Sequence, residues 1–282
     1  MSKTSVVITV YNRSYLLRKA LISLKNQSVK PDELILSDDG SKEDIVADIK
    51  DIVQSFDFPV RFIKQADKGF RLAKCRNNGV RNSTGDFLIF IDQDIIHTEN
   101  LLKTFIQNKK RKRFLTSGRV FLNEEQSEKI TEQKIIDNSY SDIIEESQVE
   151  EVAKLFRKDK IYYYLHKLHL KKAKPSIRGF YHAINKEDFV AINGYDEKYI
   201  GWGNEDDDIS RRLYRSGVEG FNPIITEYPL HLHHELFTTN NERVNRDYHI
   251  ARKKEIKNGF VRPEFGLDNP FDEDTFEVIE LN

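Results

Sequence analysis

A single cysteine, Cys75, excludes an internal disulfide and is typical of a reducing compartment. No apolar run approaches the ~18 residues of a membrane-spanning helix, and the N-terminal residues lack the apolar core of a signal peptide. Lys and Arg total 45 against 46 Asp and Glu, so no general basic field indicates nucleic acid as a partner. We therefore expect a cytoplasmic protein, either free or peripheral at the inner face of a membrane.

A glycine-rich phosphate loop is also missing. The turn after the first apolar segment reads Tyr11-Asn12-Arg13, where dinucleotide-binding folds carry Gly-x-Gly-x-x-Gly. Apolar segments nevertheless alternate with amphipathic ones, which predicts βαβ units and a parallel sheet in an α/β protein. The predicted strands cover 5–10, 34–36, 60–63 and the run from 87, and the predicted helices cover 16–24, 45–56 and 72–80.

The segment from Phe87 to His97 is the strongest local signal. Five apolar residues are followed at once by Asp92 and Asp94, which predicts a strand buried on both faces with two carboxylates at its end. Residues two apart in extended chain point the same way, so the pair could offer oxygen ligands to one hard cation such as Mg²⁺ or Mn²⁺. The alternative is that both acids are ordinary turn formers.

Polar turns also follow the first two predicted strands, at Tyr11-Asn12-Arg13 and at Asp38-Asp39. Because open α/β sheets bind ligands at the C-terminal ends of their strands, these turns suit a base or a ribose. The alternative is that Asp38 or Asp39 only caps the next helix.

The segment 98–175 is strongly polar. It predicts one strand over 114–122 and mostly helical structure over 127–170. The lysines that end it, at 167, 171, 172 and 174, either lie on a solvated helical insertion or form a patch for anionic lipid head groups.

Two clusters of ligand-type residues follow. Four acids occupy residues 205–208 behind Gly201-Trp202-Gly203, with Asn204 as the expected helix N-cap. The helix dipole favours acids there, yet four adjacent carboxylates exceed what a cap needs. Three histidines, His231, His233 and His234, lie within four positions, and imidazole suits Mn²⁺ or Zn²⁺.

Taken together, these motifs resemble the inverting nucleotide-sugar glycosyltransferases of family 2, which have the GT-A fold. The resemblance covers roughly residues 4–97 and 176–236 and includes Asp92-Gln93-Asp94, which is similar to the family's D-x-D. The block 201–209 resembles the acceptor-side motif of β-1,4-galactosyltransferases and bacterial chondroitin-type polymerases. The resemblance implies a Rossmann-like α/β/α fold of three layers with a mostly parallel central sheet. It also implies one domain over 1–282: a nucleotide-sugar-binding half (1–97), a polar, largely helical insertion (98–175), an acceptor-binding and catalytic half (176–257) and a tail (258–282).

The resemblance also implies a role for each matching position. The donor nucleoside would be bound by Thr9, Tyr11, Asp39, Arg71 and Asp92. The metal, Mn²⁺ or alternatively Mg²⁺, would be bound by Asp94 and His231, with His233 as the alternative histidine. Asp206 would be the general base with Glu205 beside it, and the acceptor sugar would be positioned by Trp202, Gly203 and Glu205.

The expected reaction moves a hexose or N-acetylhexosamine from a UDP-sugar to a glycan or lipid-linked saccharide, in the synthesis of a surface polysaccharide or glycolipid. Two rivals remain at this point. A sugar-nucleotide-binding module would bind UDP without turnover. A nucleotidyltransferase would release pyrophosphate, although the missing phosphate loop disfavours it.

Overall fold

The structure, a computed structural model, describes residues 2–235, 244–272 and 275–282. The strands in these ranges are β1 Thr4–Val10, β2 Glu33–Asp38, β3 Val60–Lys64, β4 Phe87–Asp92, β5 Ile95–His97, β6 Arg113–Thr116, β7 Val120–Phe121, β8 Tyr181–Asn185, β9 Glu219–Phe221, β10 Pro229–His231 and β11 Glu277–Glu280. The helices are α1 Ser14–Lys25, α2 Ile45–Val53, α3 Leu72–Arg81, α4 Leu101–Gln107, α5 Glu124–Lys129, α6 Glu132–Ile136, α7 Glu146–Lys167, α8 Lys186–Ala191, α9 Glu205–Arg215 and α10 Arg246–Lys257.

The central sheet has eight strands in the order β11-β3-β2-β1-β4-β8-β6-β9. β3, β2, β1 and β4 pair in parallel, while β8 runs antiparallel to both β4 and β6, and β11 runs antiparallel to β3. The sheet is therefore mostly parallel. The chain leaves β1 towards β2 on one side and returns to pair β4 on the other, so a crevice opens between the C-terminal ends of β1 and β4.

The two faces of the sheet are covered by different helices because strand side chains alternate. On β4, Phe87, Ile89 and Ile91 pack in the core cluster that includes residues of α1, α2 and α4. The intervening Leu88 and Phe90 pack in the second cluster, with residues of α3, α8 and α9. This is the three-layer α/β/α arrangement of the predicted GT-A fold.

A second, three-stranded sheet has the order β5-β10-β7. β10 runs antiparallel to β5, and this pairing sets His231 opposite Ile95. The amide of Leu232 donates to the carbonyl of Asp94 at 3.0 Å. Two segments far apart in sequence are thereby held side by side.

The seven elements predicted before residue 92 are confirmed, with ends shifted by three residues at most. The single strand predicted over 114–122 was wrong. The chain there forms β6 in the central sheet and β7 in the small sheet, because it crosses from one sheet to the other between Thr116 and Val120. The helical prediction for 127–170 is confirmed in α5, α6 and α7.

The segment 98–175 thus contributes strands as well as helices, and the predicted domain limits stay predictions. The tail returns to the sheet edge, where β11 pairs with β3. None of the helices in the described ranges combines the length and the apolar character that crossing a bilayer requires.

Candidate active site

The polar turns that follow β1, β2 and β4 meet at one edge of the sheet. The register pairs Thr9 with Asp92 and Val10 with Asp38, so the ends of the three strands are immediate neighbours. A cleft of about 540 Å³ opens at this edge. It is lined by nine of the residues predicted from the sequence: Thr9, Tyr11, Asp39, Asp92, Asp94, Trp202, Glu205, Asp206 and His231.

The side of the cleft formed by the turns after β1 and β2 is held in place by side-chain contacts to backbone. The Gln93 side chain accepts from the amide of Tyr11 at 3.0 Å and donates to its carbonyl at 3.1 Å, which fixes the turn after β1. Asn12 and Arg13 in that turn both have positive φ (49° and 58°), so the turn is made without the glycines of a phosphate loop. Asp39 is buried, which raises its pKa to about 6, and it accepts from the backbone amide of Arg71 at 2.8 Å.

Arg71 is placed differently from the prediction. Its guanidinium does not line the cleft; Nη1 donates to Asp272 at 2.8 Å and Nη2 to the carbonyl of Ala66. The reason is that the tail packs against the start of α3 and offers a carboxylate there. Arg71 therefore acts on Asp39 through its backbone amide.

A candidate metal centre lies where the turn after β4 meets the end of β10. The ligand atoms of Asp94, His231 and His234 all lie within 4.8 Å of one another. His234 Nε2 is 2.7 Å from Asp94 Oδ2, and His231 Nε2 is 3.5 Å from it. His233, the alternative named from the sequence, is exposed, and its backbone amide donates to Ser127 Oγ. His234 is thus the histidine that sequence reasoning missed.

This donor set fits a divalent cation. One carboxylate and two imidazoles are ligands that Mn²⁺ and Zn²⁺ both accept. Asp94 Oδ1 is buried and has no hydrogen-bond partner among the described residues, which is costly unless a ligand is bound there. Burial lowers the pKa of His231, so that ring is held in the neutral form that can coordinate a metal.

Asp92 and Asp94 differ in backbone conformation. β4 ends at Asp92 and the chain turns at Gln93-Asp94, so the alternation of an extended strand no longer applies. Asp92 contacts Thr9 Oγ1 at 3.3 Å and Arg76 Nη2 at 3.4 Å. Within the described residues, the candidate ligand group does not include Asp92.

The other wall of the cleft is the first turn of α9. Gly203 and Asn204 precede it with φ of +95° and +80°, the left-handed region that glycine and asparagine tolerate best. Asn204 occupies the N-cap position as predicted, but its side chain makes no capping hydrogen bond. Gly203 does not line the cleft, whereas the indole of Trp202 does and is 53% exposed.

The four acids of this turn divide into two pairs with different surroundings. Asp207 is hydrogen bonded to Arg211 and His249, and Asp208 forms a buried ion pair with Arg212 at 2.6 Å. These two acids have local structural partners.

Glu205 and Asp206, by contrast, face the cleft. Asp206 Oδ1 accepts from Arg76 at 2.9 Å, while Glu205 Oε1 is 3.8 Å from the same guanidinium. Glu205 Oε2 is buried without a hydrogen-bond partner among the described residues. Burial, reinforced by the charge of Asp206, raises the pKa of Glu205 to about 8.

Arg76 connects the two walls. Its side chain is fully buried, and it also donates to the carbonyl of Gly179 at 3.2 Å. A Cβ on Gly179 would overlap Asp206 Oδ2 and lie 2.7 Å from Arg76 Nη2, so a larger residue here would displace these side chains. No role was predicted for Arg76, since the segment 72–80 was predicted only as a helix.

Arg119 is a second missed residue of the cleft. Its guanidinium carbon lies 3.9 Å from the ring centroid of Phe121 and 4.2 Å from that of Phe180. Its Nε has no hydrogen-bond partner among the described residues, and burial lowers its pKa while Asp92, Asp94 and Asp206 raise it. The cleft therefore contains a positive group held by two aromatic rings and open to an anion.

The sequence profile of glycosyl transferase family 2 matches residues 5–190. The chain belongs to this family. A second profile, described as the N-terminal domain of galactosyltransferase, matches residues 159–235 and so includes the first turn of α9 and His231.

Among curated proteins, this family 2 chain is 28% identical over 231 residues to the chondroitin synthase of Escherichia coli. That match covers 76% of the chain but only 32% of the relative, so the chain spans about a third of that protein's length.

Two solved structures share its fold. A mannosyltransferase from Pyrobaculum calidifontis, in complex with GDP-Man and Mn²⁺, has a TM-score of 0.59 at 14% identity and aligns over 91% of the chain and 64% of the mannosyltransferase. GalNAc-T7 with UDP, GalNAc and Mn²⁺ has a TM-score of 0.60 at 16% identity, over 91% and 50%.

Proposed function

We propose that this family 2 chain transfers a hexose or N-acetylhexosamine from a UDP-sugar to a hydroxyl of a glycan acceptor, with inversion. The observation that carries the proposal is that one cleft is lined by both the Asp94–His231–His234 group and the Glu205–Asp206 pair. A sugar nucleotide bound between them would have a cation site on one side and a carboxylate on the other.

The donor side rests on the residues around the crevice between β1 and β4. Thr9, Tyr11 and Asp39 line it and would contact the nucleoside. Both of the solved structures compared above are complexes that contain Mn²⁺ and a nucleotide or nucleotide sugar, one of them GDP-Man and the other UDP. A divalent cation held by Asp94, His231 and His234 would neutralise the charge that builds on the leaving diphosphate.

Asp206 is the better candidate for the general base of the two acids. Its side chain is 27% exposed at the cleft, against 9% for Glu205. Because the pKa of Glu205 is about 8, that carboxyl is protonated at neutral pH and suits a hydrogen bond to the acceptor rather than proton abstraction. Burial also raises the pKa of Asp206 above its ordinary value, which strengthens it as a base, although Arg76 opposes the shift.

Attack by the acceptor hydroxyl from the side opposite the leaving group forms the new glycosidic bond in one step. The bond to the diphosphate breaks, and the hydroxyl proton passes to Asp206. A single displacement of an α-linked donor sugar gives a β-linked product.

A donor screen tests the proposal. The full chain is incubated with Mn²⁺, four UDP-hexoses and UDP-N-acetylhexosamines, GDP-mannose as a comparator and a panel of glycan acceptors. We expect acceptor-dependent UDP release that stops in EDTA, and a β-linked product by NMR. UDP binding without any turnover would favour a binding module, and pyrophosphate release from a nucleoside triphosphate would favour a nucleotidyltransferase; either result refutes the proposal.

The substitution Asp206→Asn tests the base. A general base contributes ~10²–10⁴ in rate, so we expect transfer to fall by about that factor while UDP affinity is retained. Asp207→Asn is the matched control, because Asp207 is the next residue on the same turn but is bound to Arg211 and His249 outside the cleft. If UDP binding disappears together with transfer in Asp206→Asn, the assignment of the base is wrong.

A further inference from the structure

The C-terminal end of α7 carries a surface that the proposed chemistry does not use. Four large apolar side chains there are more than half exposed: Ile161 (58%), Tyr164 (54%), Leu168 (66%) and Leu170 (66%). The first three are spaced i, i+3 and i+7, so they share one helix face. That face is turned away from the protein, since the buried residues of the helix, Val152, Asp159 and Tyr163, follow a different stripe.

Leu170 lies in the turn that ends α7. The amide of His169 donates to the carbonyl of His166 at 2.9 Å, and the amide of Leu170 donates to the carbonyl of Leu165 at 2.9 Å. With His169 in the left-handed region at φ 58°, this is the Schellman ending of a helix. Residues 168–170 are therefore a folded continuation of the helix end.

The sequence segment that carries this surface is basic, although Glu219 of β9 pairs with Lys167 at 3.4 Å. Residues 157–174 contain seven Lys or Arg and a single acid, Asp159, in a chain whose net charge is −1. Asp159 is buried and is bound by Arg178 at 2.9 and 3.0 Å and by Asn222 at 2.8 Å, so it does not offset the surface lysines. Lys171 and Lys172 are both exposed beside Leu170.

We propose that this α7 patch, formed by Ile161, Tyr164, Leu168, Leu170, Lys171 and Lys172, binds the surface of an anionic lipid bilayer. Exposed apolar side chains bordered by lysines are the pattern of an interfacial helix, in which the apolar face enters the head-group region and the lysines contact anionic lipids. An exposed apolar patch marks either a membrane or a protein contact, and the lysines that border this one favour an anionic bilayer.

An ion pair links α7 to the cleft. Arg178 lines the cleft and is the partner of Asp159 on α7. Docking of the patch would therefore hold the cleft at a fixed position relative to the bilayer, which suits an acceptor carried on a lipid. The lipid contact itself does not depend on the proposed function, since it needs neither donor nor turnover.

Vesicle co-sedimentation tests the proposal, using the full chain in EDTA and without donor. We expect the chain to sediment with vesicles of phosphatidylglycerol and phosphatidylcholine, to stay in solution with phosphatidylcholine alone, and to be released by salt. Leu168→Ser with Leu170→Ser, and separately Lys171→Gln with Lys172→Gln, should each lower the partition coefficient about 10-fold or more.

Two control pairs make the same chemical changes elsewhere on the surface. Ile136→Ser with Ile225→Ser removes two side chains that are 53% and 70% exposed, and Lys254→Gln with Lys257→Gln removes two exposed charges from α10. Both control pairs should sediment like the unmodified chain. The proposal is overturned if the unmodified chain ignores anionic vesicles, or if the patch and control variants behave alike. It is also overturned if the leucine variants change the oligomeric state by light scattering without changing vesicle binding, because the patch would then contact a second copy.

Discussion

Replacement of Glu205 by glutamine should stabilise the protein relative to the unmodified chain, and this difference should grow as the pH rises. Glu205 is 7% exposed, one of its oxygens has no hydrogen-bond partner among the described residues, and its pKa is raised from 4.5 to about 8 by burial and then by the charge of Asp206. At about 1.4 kcal/mol per pH unit, this difference corresponds to a free energy on the order of 5 kcal/mol. Rearrangement of the neighbours will reduce it, so we expect a few kcal/mol.

The direction follows from proton counting. Below the unfolded pKa of 4.5, Glu205 is protonated in both states and has no effect on pH dependence. Between 4.5 and about 8 the unfolded chain loses a proton that the folded chain keeps, so the free energy of unfolding contributed by this group falls as pH rises. Above about 8 the loss is complete. Glutamine has no proton to lose, so the stability of Glu205→Gln relative to the unmodified protein should rise from pH 5 to pH 9.

Urea unfolding followed by circular dichroism, in EDTA and without donor, measures this difference at each pH. Glu264→Gln makes the same chemical change on the surface, where the side chain is 66% exposed, and reports how the rest of the molecule responds to pH. A difference between Glu205→Gln and the unmodified protein that stays constant from pH 5 to pH 9 would refute the buried, neutral state of Glu205.

The other predictions concern the residues that the sequence did not identify. His234→Ala should abolish Mn²⁺ binding measured by calorimetry. His233→Ala, which changes the exposed neighbouring histidine, should retain it, and equal losses in the two variants would place the metal elsewhere. Arg119→Gln should weaken binding of UDP about 10-fold or more but leave uridine binding unchanged, since a lost charge-assisted hydrogen bond to phosphate is worth roughly 1.5–3 kcal/mol; a parallel loss of uridine affinity would contradict an anion-binding role. Gly179→Ala should lower the transfer rate at least ~10-fold with UDP affinity retained, because the added methyl displaces Asp206; full activity would show that the position of that carboxylate is not critical.

The sequence was informative where a local pattern decides the structure. The apolar run of β4 and the spacing of the leucines in α1 predicted a buried strand and an amphipathic helix. Because parallel strands end at the same edge of a sheet, the polar residues that follow them were predicted to lie together. It was uninformative where partners come from distant segments. Arg71 donates a hydrogen bond to Asp272, which is 201 positions away in the sequence, and Arg76 donates one to Asp206, which is 130 positions away. His234 was not named as a ligand because strand alternation ends with β10 at His231, so the sequence does not show which later histidine turns back to Asp94.

The pairing of β5 with β10 has a thermodynamic consequence of its own. It holds Asp94 close to His231 and His234. An ion bound by all three would therefore cross-link two segments that are distant in the sequence and separate in the unfolded chain. By mass action, an ion that binds only the native form at 100 times its dissociation constant adds about 2.7 kcal/mol to stability. The melting temperature of this protein would then depend on how much free cation surrounds it.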